Sequence, residues 1–198
     1  MNFLAHAYLS FEHPQILIGN MISDFVRGRK KFDYPEAIQK GIALHRAIDQ
    51  FTDEHPMTKK AKEYFAPVYR LYSGAFIDIV YDHFLAKDPG HFSEQALKHF
   101  SSTVYGKLDE HIHLLPDRFA QMVPYMRSQD WLYNYRHREG LERSFNGLAR
   151  RSLYITETAS AVRIFQENAD SLETLYAEFI KEVVPFAKEK LQELGIQM

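Results

Sequence analysis

The sequence contains no cysteine among its 198 residues. This excludes disulfides, thiolate zinc sites, iron–sulfur clusters and cysteine nucleophiles. Any metal ligands must therefore come from histidine, aspartate, glutamate or asparagine. A glycine-rich phosphate loop, a Gly-x-Ser-x-Gly elbow, internal repeats and low-complexity tracts are also missing, so the common sequence signatures of nucleotide and ester hydrolysis do not apply.

Strong charge of either sign is missing too, since the formal net charge is -2. The chain as a whole therefore has no electrostatic attraction to nucleic acid. No window approaches the roughly twenty apolar residues that a membrane helix needs. The opening MNFLAHAYLSFEH lacks the basic segment and long apolar run of a signal peptide. We expect a cytoplasmic protein that binds neither nucleic acid nor membrane.

The hydrophobic pattern repeats at helical spacing and contains no convincing strand. The length of the chain suits a single core, so we predict one all-α domain over residues 1–198. Proline, glycine and capping residues set the predicted helix ends. We expect helices over residues 2–10, 14–27, 35–55, 58–69, 71–86, 93–113, 118–126, 139–151 and 153–165, a short helix around Trp131 and Tyr135, and a long last helix opened by a capping box of Asp170 and Glu173.

The most informative stretch is residues 41–56, read GIALHRAIDQFTDEHP. His45, Asp49 and Asp53 follow one another at intervals of four, which places them on one helix face at the edge of an apolar stripe. An imidazole and two carboxylates at low dielectric need a partner, and one divalent cation can serve all three. The alternative is a solvent-facing ladder whose acids are satisfied by Arg46 and water.

Three more polar positions lie beside apolar helix faces. His6 does so in the first helix, although a single histidine there is more often an ordinary hydrogen-bonded core residue. Asp24 does so in the second helix, where an ion pair with Arg27 is the structural alternative. Asp82-His83 ends a strongly apolar helix and cannot easily reach water.

These side chains come from four predicted helices. Because helices pack by their apolar faces, the polar positions could meet in one cavity of a compact bundle. Oxygen and imidazole ligands without sulfur favour Mn²⁺, Mg²⁺ or Fe²⁺ over a structural zinc. The candidate residues are His6, Asp24, His45, Asp49, Asp82 and His83.

The densest basic cluster begins three residues after Asp24. Such a run is usually only a solvated loop, but here it would rim any pocket that Asp24 lines. A basic rim suits a phosphate group presented on an acidic carrier. It suits RNA less well, because few aromatic side chains are interleaved for base stacking. The basic residues are Arg27, Arg29, Lys30 and Lys31.

Several short motifs occur in an order typical of one enzyme family. They are Asn2-Phe3-Leu4-Ala5-His6, Gly19-Asn20, Ser23-Asp24-Phe25-Val26-Arg27-Gly28, Gly41-Ile42, Leu44-His45-Arg46, Ile48-Asp49, Thr52-Asp53 and Tyr81-Asp82-His83-Phe84-Leu85. With them the sequence resembles the acyl carrier protein phosphodiesterases, also called holo-acyl-carrier-protein hydrolases, which are divergent relatives of the HD-domain phosphohydrolases.

The resemblance implies an all-helical, HD-domain-like bundle that uses Mn²⁺ and removes 4′-phosphopantetheine from the serine of holo-acyl carrier protein. The adjacent pair is Asp82-His83 here, the reverse of the His-Asp order in HD enzymes. His83 is expected to orient a ligand or to protonate the departing serine oxygen. The residues expected to hold the metal ion or its water are His6, Asp24, His45, Asp49 and Asp82. Those expected to bind the phosphate are Asn20, Arg27 and Arg46.

The basic cluster would then meet the acidic surface of the carrier protein, giving a salt-sensitive encounter. Two other interpretations stay open at this point. The chain could be an HD-type phosphohydrolase acting on a nucleotide or another small phosphoester. It could also be a non-catalytic helical module whose acids and histidines form a buried network while the basic loop binds an acidic partner.

Overall fold

The computed structural model describes residues 1–197, which contain α-helices and short 3-10 helices but no strand. The all-α prediction is confirmed. The α-helices are α1 (Phe3–Tyr8), α2 (Pro14–Ile22), α3 (Glu36–Glu54), α4 (Pro56–Tyr69), α5 (Ser73–Lys87), α6 (Glu94–Glu110), α7 (Asp117–Ser128), α8 (Trp131–Asn134), α9 (Arg138–Arg151), α10 (Ala159–Glu167) and α11 (Ala169–Glu193). The 3-10 helices are Ser23–Phe25, Gly28–Asp33, Arg70–Tyr72 and Ile112–Leu114.

Most predicted helices are present, and their ends follow local chemistry. Pro14 occupies the first turn of α2, and Ser93 caps α6 by accepting a hydrogen bond from the Ala96 amide at 3.1 Å. The second helix is shorter than predicted, because it ends at Ile22. The amide of Val26 bonds to the Ser23 carbonyl at 3.0 Å, which tightens residues 23–25 into a 3-10 turn.

Two predictions in the second half of the chain are wrong. The helix predicted from residue 153 begins only at Ala159, and the side chains of Leu153 and Tyr154 are 87% and 79% exposed. Their apolar character therefore does not mark a core face. The capping box at Asp170 is also absent, because α11 begins at Ala169 and its N-cap position is Asn168. The side-chain amide of Asn168 donates to the Ile164 carbonyl at the end of α10.

α5 lies in the middle of the core and is apolar on nearly all sides. It packs against α1, α4, α9 and α11. Its fully buried residues are Phe76, Ile77, Val80, Tyr81, Asp82 and Leu85. A charged or imidazole side chain that is buried on this helix, such as Asp82 or His83, needs a partner within the protein.

α2 and α3 pack with their backbones in direct contact. A Cβ atom added at Gly19 would lie 2.1 Å from the Ile38 carbonyl oxygen, and one added at Gly41 would lie 2.3 Å from the Ile16 carbonyl oxygen. Only glycine fits at either position. This close approach brings the backbone of Asn20, on α2, within hydrogen-bond distance of His45 on α3.

Gly19→Ala is expected to lower the free energy of unfolding by about 1–3 kcal/mol or more, because the new methyl group must push the two helices apart. Urea denaturation measures the change. Gly106→Ala is the matched control, since a Cβ there would meet nothing within 4 Å. Being in the interior of α6, the control should gain about 0.5–1 kcal/mol from helix propensity. Equal stability of the two variants would contradict the close packing.

Candidate metal centre

Two imidazoles lie face to face where α1 meets α3. The rings of His6 and His45 are stacked with centroids 3.9 Å apart and planes 16° apart, and both residues are buried. Asp49, one turn after His45, reaches both rings. Its Oδ1 lies 3.1 Å from Nε2 of His6, and its Oδ2 lies 3.1 Å from Nε2 of His45. The helical spacing read from the sequence thus forms one half of this cluster, and α1 supplies the other.

Asn20 orients both histidines through hydrogen bonds to their Nδ1 atoms. Its side-chain amide donates to the His6 carbonyl at 2.9 Å and to Ser10 Oγ at 3.1 Å, so its Oδ1 is left to accept from His6 Nδ1 at 2.8 Å. Its backbone carbonyl accepts from His45 Nδ1 at 2.7 Å. Both imidazoles therefore carry a proton on Nδ1 and point Nε2 toward Asp49. Outer hydrogen bonds of this kind fix the tautomer of metal-binding histidines.

Asp24 lies at the solvent side of the cluster. Its Oδ1 is 3.2 Å from Nε2 of His45, and its side chain is 73% exposed. Asp49 is also partly exposed, at 41% of its side chain. The cluster is thus closed around the imidazoles and open at the carboxylates, so water or a substrate can approach it from the carboxylate side.

The donor set fits a divalent cation. His6, His45 and Asp49 each offer one ligand atom, and these atoms all lie within 4.8 Å of one another. Two imidazoles and a carboxylate without sulfur suit a first-row divalent ion. Both Nε2 atoms face carboxylate oxygens. A lone pair on Nε2 is repelled by these oxygens unless a proton or a cation lies between the nitrogen and the oxygen.

Electrostatics separate the two histidines. Burial and the neighbouring His45 lower the pKa of His6 to about 4, so this ring is neutral at neutral pH. Burial also lowers the pKa of His45, but hydrogen bonds and charge from Asp24 and Asp49 outweigh it and raise the pKa to about 9. The same bonds hold the pKa of both carboxyls below their ordinary range, against burial.

Mn²⁺ affinity is expected to rise about tenfold per pH unit between pH 6.5 and 8.5, because the metal must displace one proton from His45. His6 is already neutral over that range and adds no dependence. Isothermal titration calorimetry in two buffers of different ionisation enthalpy would count the protons released. An affinity that does not change with pH would contradict the assignment of His45 as the protonated ligand.

Asn20→Ala is expected to weaken Mn²⁺ binding about 10–100-fold, because His6 loses the side-chain acceptor that holds its orientation. The main-chain bond to His45 remains, so binding should be weakened rather than abolished. Ser10→Ala removes the acceptor of the Asn20 amide and a hydrogen bond to the His6 carbonyl but leaves both imidazole bonds in place, so its effect should be smaller. Unchanged affinity in the Asn20 variant would show that the histidines orient themselves without it.

The structure does not bring Asp82 into this cluster, which corrects the sequence-based expectation. Its carboxylate accepts hydrogen bonds from the backbone amides of Asn2, Leu4 and Ala5 at 3.2, 2.7 and 3.2 Å. Asp82 therefore caps the first turn of α1 from another helix. Complete burial raises its pKa to about 7, although the three amides and the chain's first ammonium group oppose the shift.

His83 is also outside the cluster. Its Nδ1 donates to the Tyr135 carbonyl at 2.6 Å, beside the ring of Phe165. Consecutive residues on a helix point about 100° apart. The Asp82-His83 pair therefore serves two different neighbours, α1 and the end of α8, and His83 is not placed to protonate a leaving group at the histidine pair.

The three residues predicted to bind phosphate fall into two groups. Asn20 is fully buried beneath the histidines and cannot reach a substrate. Arg27 and Arg46 are exposed beside Asp24, and Arg46 donates to the Val26 carbonyl at 3.2 Å. Within residues 1–197 Asp24 pairs with His45 and not with Arg27, so the alternative ion pair is absent. Asp53 leaves the ladder to pair with Lys62.

Sequence analysis missed two contributors to the site. Ser10 follows His6 by four residues, and that spacing could have identified it as a partner on the same face. The Met1 ammonium is buried, lies 2.8 Å from Asp78 Oδ1 and 3.8 Å from Asp49 Oδ1, and has no sequence signal. Burial lowers its pKa, but the charges of Asp78 and Asp49 outweigh burial and raise the pKa to about 10.

A family model described as acyl carrier protein phosphodiesterase matches residues 1–183. The chain belongs to this family. It is accordingly an enzyme that hydrolyses phosphodiesters. Relatives named acyl carrier protein phosphodiesterase occur in Enterobacter sp. (strain 638), 33% identical over 191 residues, and in Yersinia pestis, 31% identical over 194 residues. Each match covers 96% of this chain and 99% of the relative.

No solved structure matched the chain. The motifs that carry the family resemblance contain His6, His45 and Asp49, the residues that the fold assembles into one cluster. None of the helices in residues 1–197 has the length and apolarity that crossing a membrane requires.

Proposed function

We propose that this enzyme hydrolyses the phosphodiester between 4′-phosphopantetheine and the serine of holo-acyl carrier protein, with Mn²⁺ as its metal ion. His6, His45 and Asp49 would hold the ion, and Asp24 would complete the site at its open side. The names of the relatives, acyl carrier protein phosphodiesterases, support the substrate. The observation that carries the mechanism is the pair of Nε2 atoms directed at one carboxylate.

A phosphodiester resists hydrolysis because its negative charge repels hydroxide. A divalent cation bound here would supply charge neutralisation and lower the pKa of water at the site. Mg²⁺ and Fe²⁺ have compatible ligand preferences and are the alternatives to Mn²⁺.

The protein's own residues prepare the site before substrate binds. The hydrogen bonds of Asn20 keep both histidines in one tautomer and one orientation, so neither ring has to reorganise during the reaction. Asp24 stays ionised at neutral pH because its bond to His45 lowers its pKa. Its carboxylate can therefore accept a hydrogen bond from a water that enters at the open side.

Arg46 and Arg27 would bind the phosphate. Arg46 follows His45 directly on α3, and its bond to the Val26 carbonyl holds the guanidinium against the segment that carries Asp24 and Arg27. Guanidinium groups recognise phosphate oxygens through paired, charge-assisted hydrogen bonds. These two arginines would neutralise the diester at the mouth of the site.

The basic loop would make the first contact with the carrier protein. Arg29, Lys30 and Lys31 lie in the 3-10 segment Gly28–Asp33, a few residues beyond Asp24, and Arg29 and Lys30 are exposed. An acidic carrier approaching the metal centre would meet this loop. Electrostatic attraction of this kind speeds association and weakens as salt rises.

The direct test is mass spectrometry of holo-acyl carrier protein after incubation with the enzyme and Mn²⁺. We expect the carrier protein to lose the mass of 4′-phosphopantetheine, and the loss to stop with EDTA or in His45→Ala. A parallel panel of nucleotides and small phosphoesters tests the other HD-type substrates. Turnover of a nucleotide but not of the carrier protein would overturn the proposal, and so would full activity in EDTA.

A further inference from the structure

A cavity with a mixed polar and apolar lining lies beside the N-terminus of α1. It has a volume of about 380 Å³ and is formed between the start of α1, α8 and α9. We call it the arginine pocket. The lining residues that matter here are Asn2, Trp131, Tyr135, Arg143, Arg150 and Arg151.

The three arginines of this pocket lack acidic partners. Among residues 1–197, none of the three forms an ion pair, whereas Arg136 and Arg138 elsewhere in the same region pair with Glu94 and Glu142. All three pocket arginines are exposed. The pocket therefore concentrates positive charge that an anionic ligand could neutralise, in a chain whose net charge is -2.

The walls of the pocket are held by the two α5 residues that the metal centre does not use. Asp82 accepts the backbone amide of Asn2, and His83 donates to the carbonyl of Tyr135. Asn2 and Tyr135 both line the pocket. The Asp82-His83 pair thus ties α1 and the end of α8 to one buried helix and fixes the spacing of the walls.

The pocket and the metal centre share α1. Phe3, the first residue of α1, lines the pocket and His6 contacts Asp49, so the two sites use residues about one helical turn apart on this helix. A chain of aromatic contacts also joins them. Phe3, in the pocket, packs 6.3 Å from Phe119, which in turn lies 5.0 Å from Phe25 beside Asp24.

We propose that the arginine pocket binds acidic side chains of the carrier protein while the phosphodiester lies at the metal centre. This inference rests on the proposed function and adds a second anchoring surface, separate from the basic loop at residues 27–31. Arg143 and Arg150 are two turns apart on α9, about 10 Å, which suits carboxylates spaced along a partner helix better than one small phosphate. Leu153 and Tyr154 follow the end of α9 within three residues, and both are exposed. They are available for apolar contacts with a partner beside the charged surface.

Trp131 is the single tryptophan of the chain and lies in this pocket, so its fluorescence reports on binding there. The titrant is apo-acyl carrier protein without tryptophan, which has no prosthetic group and cannot be turned over. We expect a saturable change in Trp131 emission. The dissociation constant should rise about tenfold or more in the triple variant Arg143→Ala, Arg150→Ala, Arg151→Ala.

The matched control is Lys59→Ala, Lys60→Ala, Arg163→Ala, which removes the same charge from exposed positions on α4 and α10. Its dissociation constant should match that of the wild-type protein. With holo-acyl carrier protein, the pocket variant should show a higher KM with a much smaller change in kcat. Circular dichroism establishes that both variants are folded.

Equal carrier affinity in the pocket variant and the wild-type protein would overturn the inference. An equal loss in the control would also overturn it, because the effect would then be one of net charge. If inorganic phosphate changes Trp131 emission and the carrier protein does not, the pocket is a small-anion site instead. Binding of apo-acyl carrier protein is measured without turnover. If this binding depends on the pocket but the enzyme releases no 4′-phosphopantetheine from holo-acyl carrier protein, only the proposed reaction is rejected, and the inference about the pocket stands.

Discussion

Asp49→Ala is expected to reduce phosphodiester hydrolysis by at least about a thousandfold, because this carboxylate contacts the Nε2 atoms of both histidines. Losing an outer partner of a metal ligand costs about 10–100-fold, and losing the ligand itself should cost more. Steady-state kinetics with saturating Mn²⁺ measures the loss. Stoichiometric metal, measured by elemental analysis after desalting, should disappear with the activity.

Asp53→Ala is the matched control, since it makes the same substitution one turn further along α3. Asp53 is exposed and pairs with Lys62, so its loss should change activity by no more than roughly twofold. Asp49→Asn separates charge from shape, and it should resemble Asp49→Ala because an amide is a poor metal ligand. Activity within tenfold of the wild-type enzyme in Asp49→Ala would remove this residue from the site.

Asp82→Ala is expected to lower the free energy of unfolding by about 3–5 kcal/mol, because three backbone amides at the start of α1, two of them buried, lose their acceptor. Asp82→Asn keeps one acceptor oxygen and should lose less. Chemical denaturation at constant pH measures both. The decisive comparison is metal content, since Asp82→Asn should still bind one equivalent of Mn²⁺. A stable Asp82→Asn protein without metal would instead make this residue a ligand.

The pH dependence of stability gives a second test of Asp82. Its pKa is about 7 in the folded protein and 3.8 is the ordinary value, so the folded state keeps a proton that the unfolded chain has lost. Stability should therefore fall as pH rises from about 4 to about 7. The Asp82→Asn variant has no proton to lose there, and the Asp82 contribution to this slope should disappear.

The part of the site that lies on one helix could be predicted from the sequence. His45 and Asp49 are four residues apart, and helical geometry alone places them together. His6 was a candidate because it lies beside an apolar face of the first predicted helix. The partners of Asp82 and His83 could not be predicted in this way, because periodicity says that a side chain is buried but not which neighbouring helix it faces. Both are buried, and they face different helices.

Helix ends could likewise be predicted only where local chemistry determines them. Pro14 and Ser93 mark the starts of α2 and α6 by local chemistry, and both were recognised. The helix predicted from Leu153 was wrong, because the sequence does not distinguish an exposed apolar pair such as Leu153 and Tyr154 from a buried one. Asn20 was predicted to bind phosphate, because a side-chain amide can either bind a phosphate or orient a neighbouring histidine. Only the close packing of α2 on α3 shows that it holds the histidines.

The proposed function requires that His6, His45 and Asp49 hold one divalent cation. Anomalous diffraction from crystals grown with Mn²⁺, recorded at the manganese absorption edge, tests it most directly. We expect a single strong peak within bonding distance of both Nε2 atoms and an Asp49 oxygen, with Asp82 still bonded to α1. A peak beside Asp82 and His83, or no peak between the two histidines, would contradict this assignment.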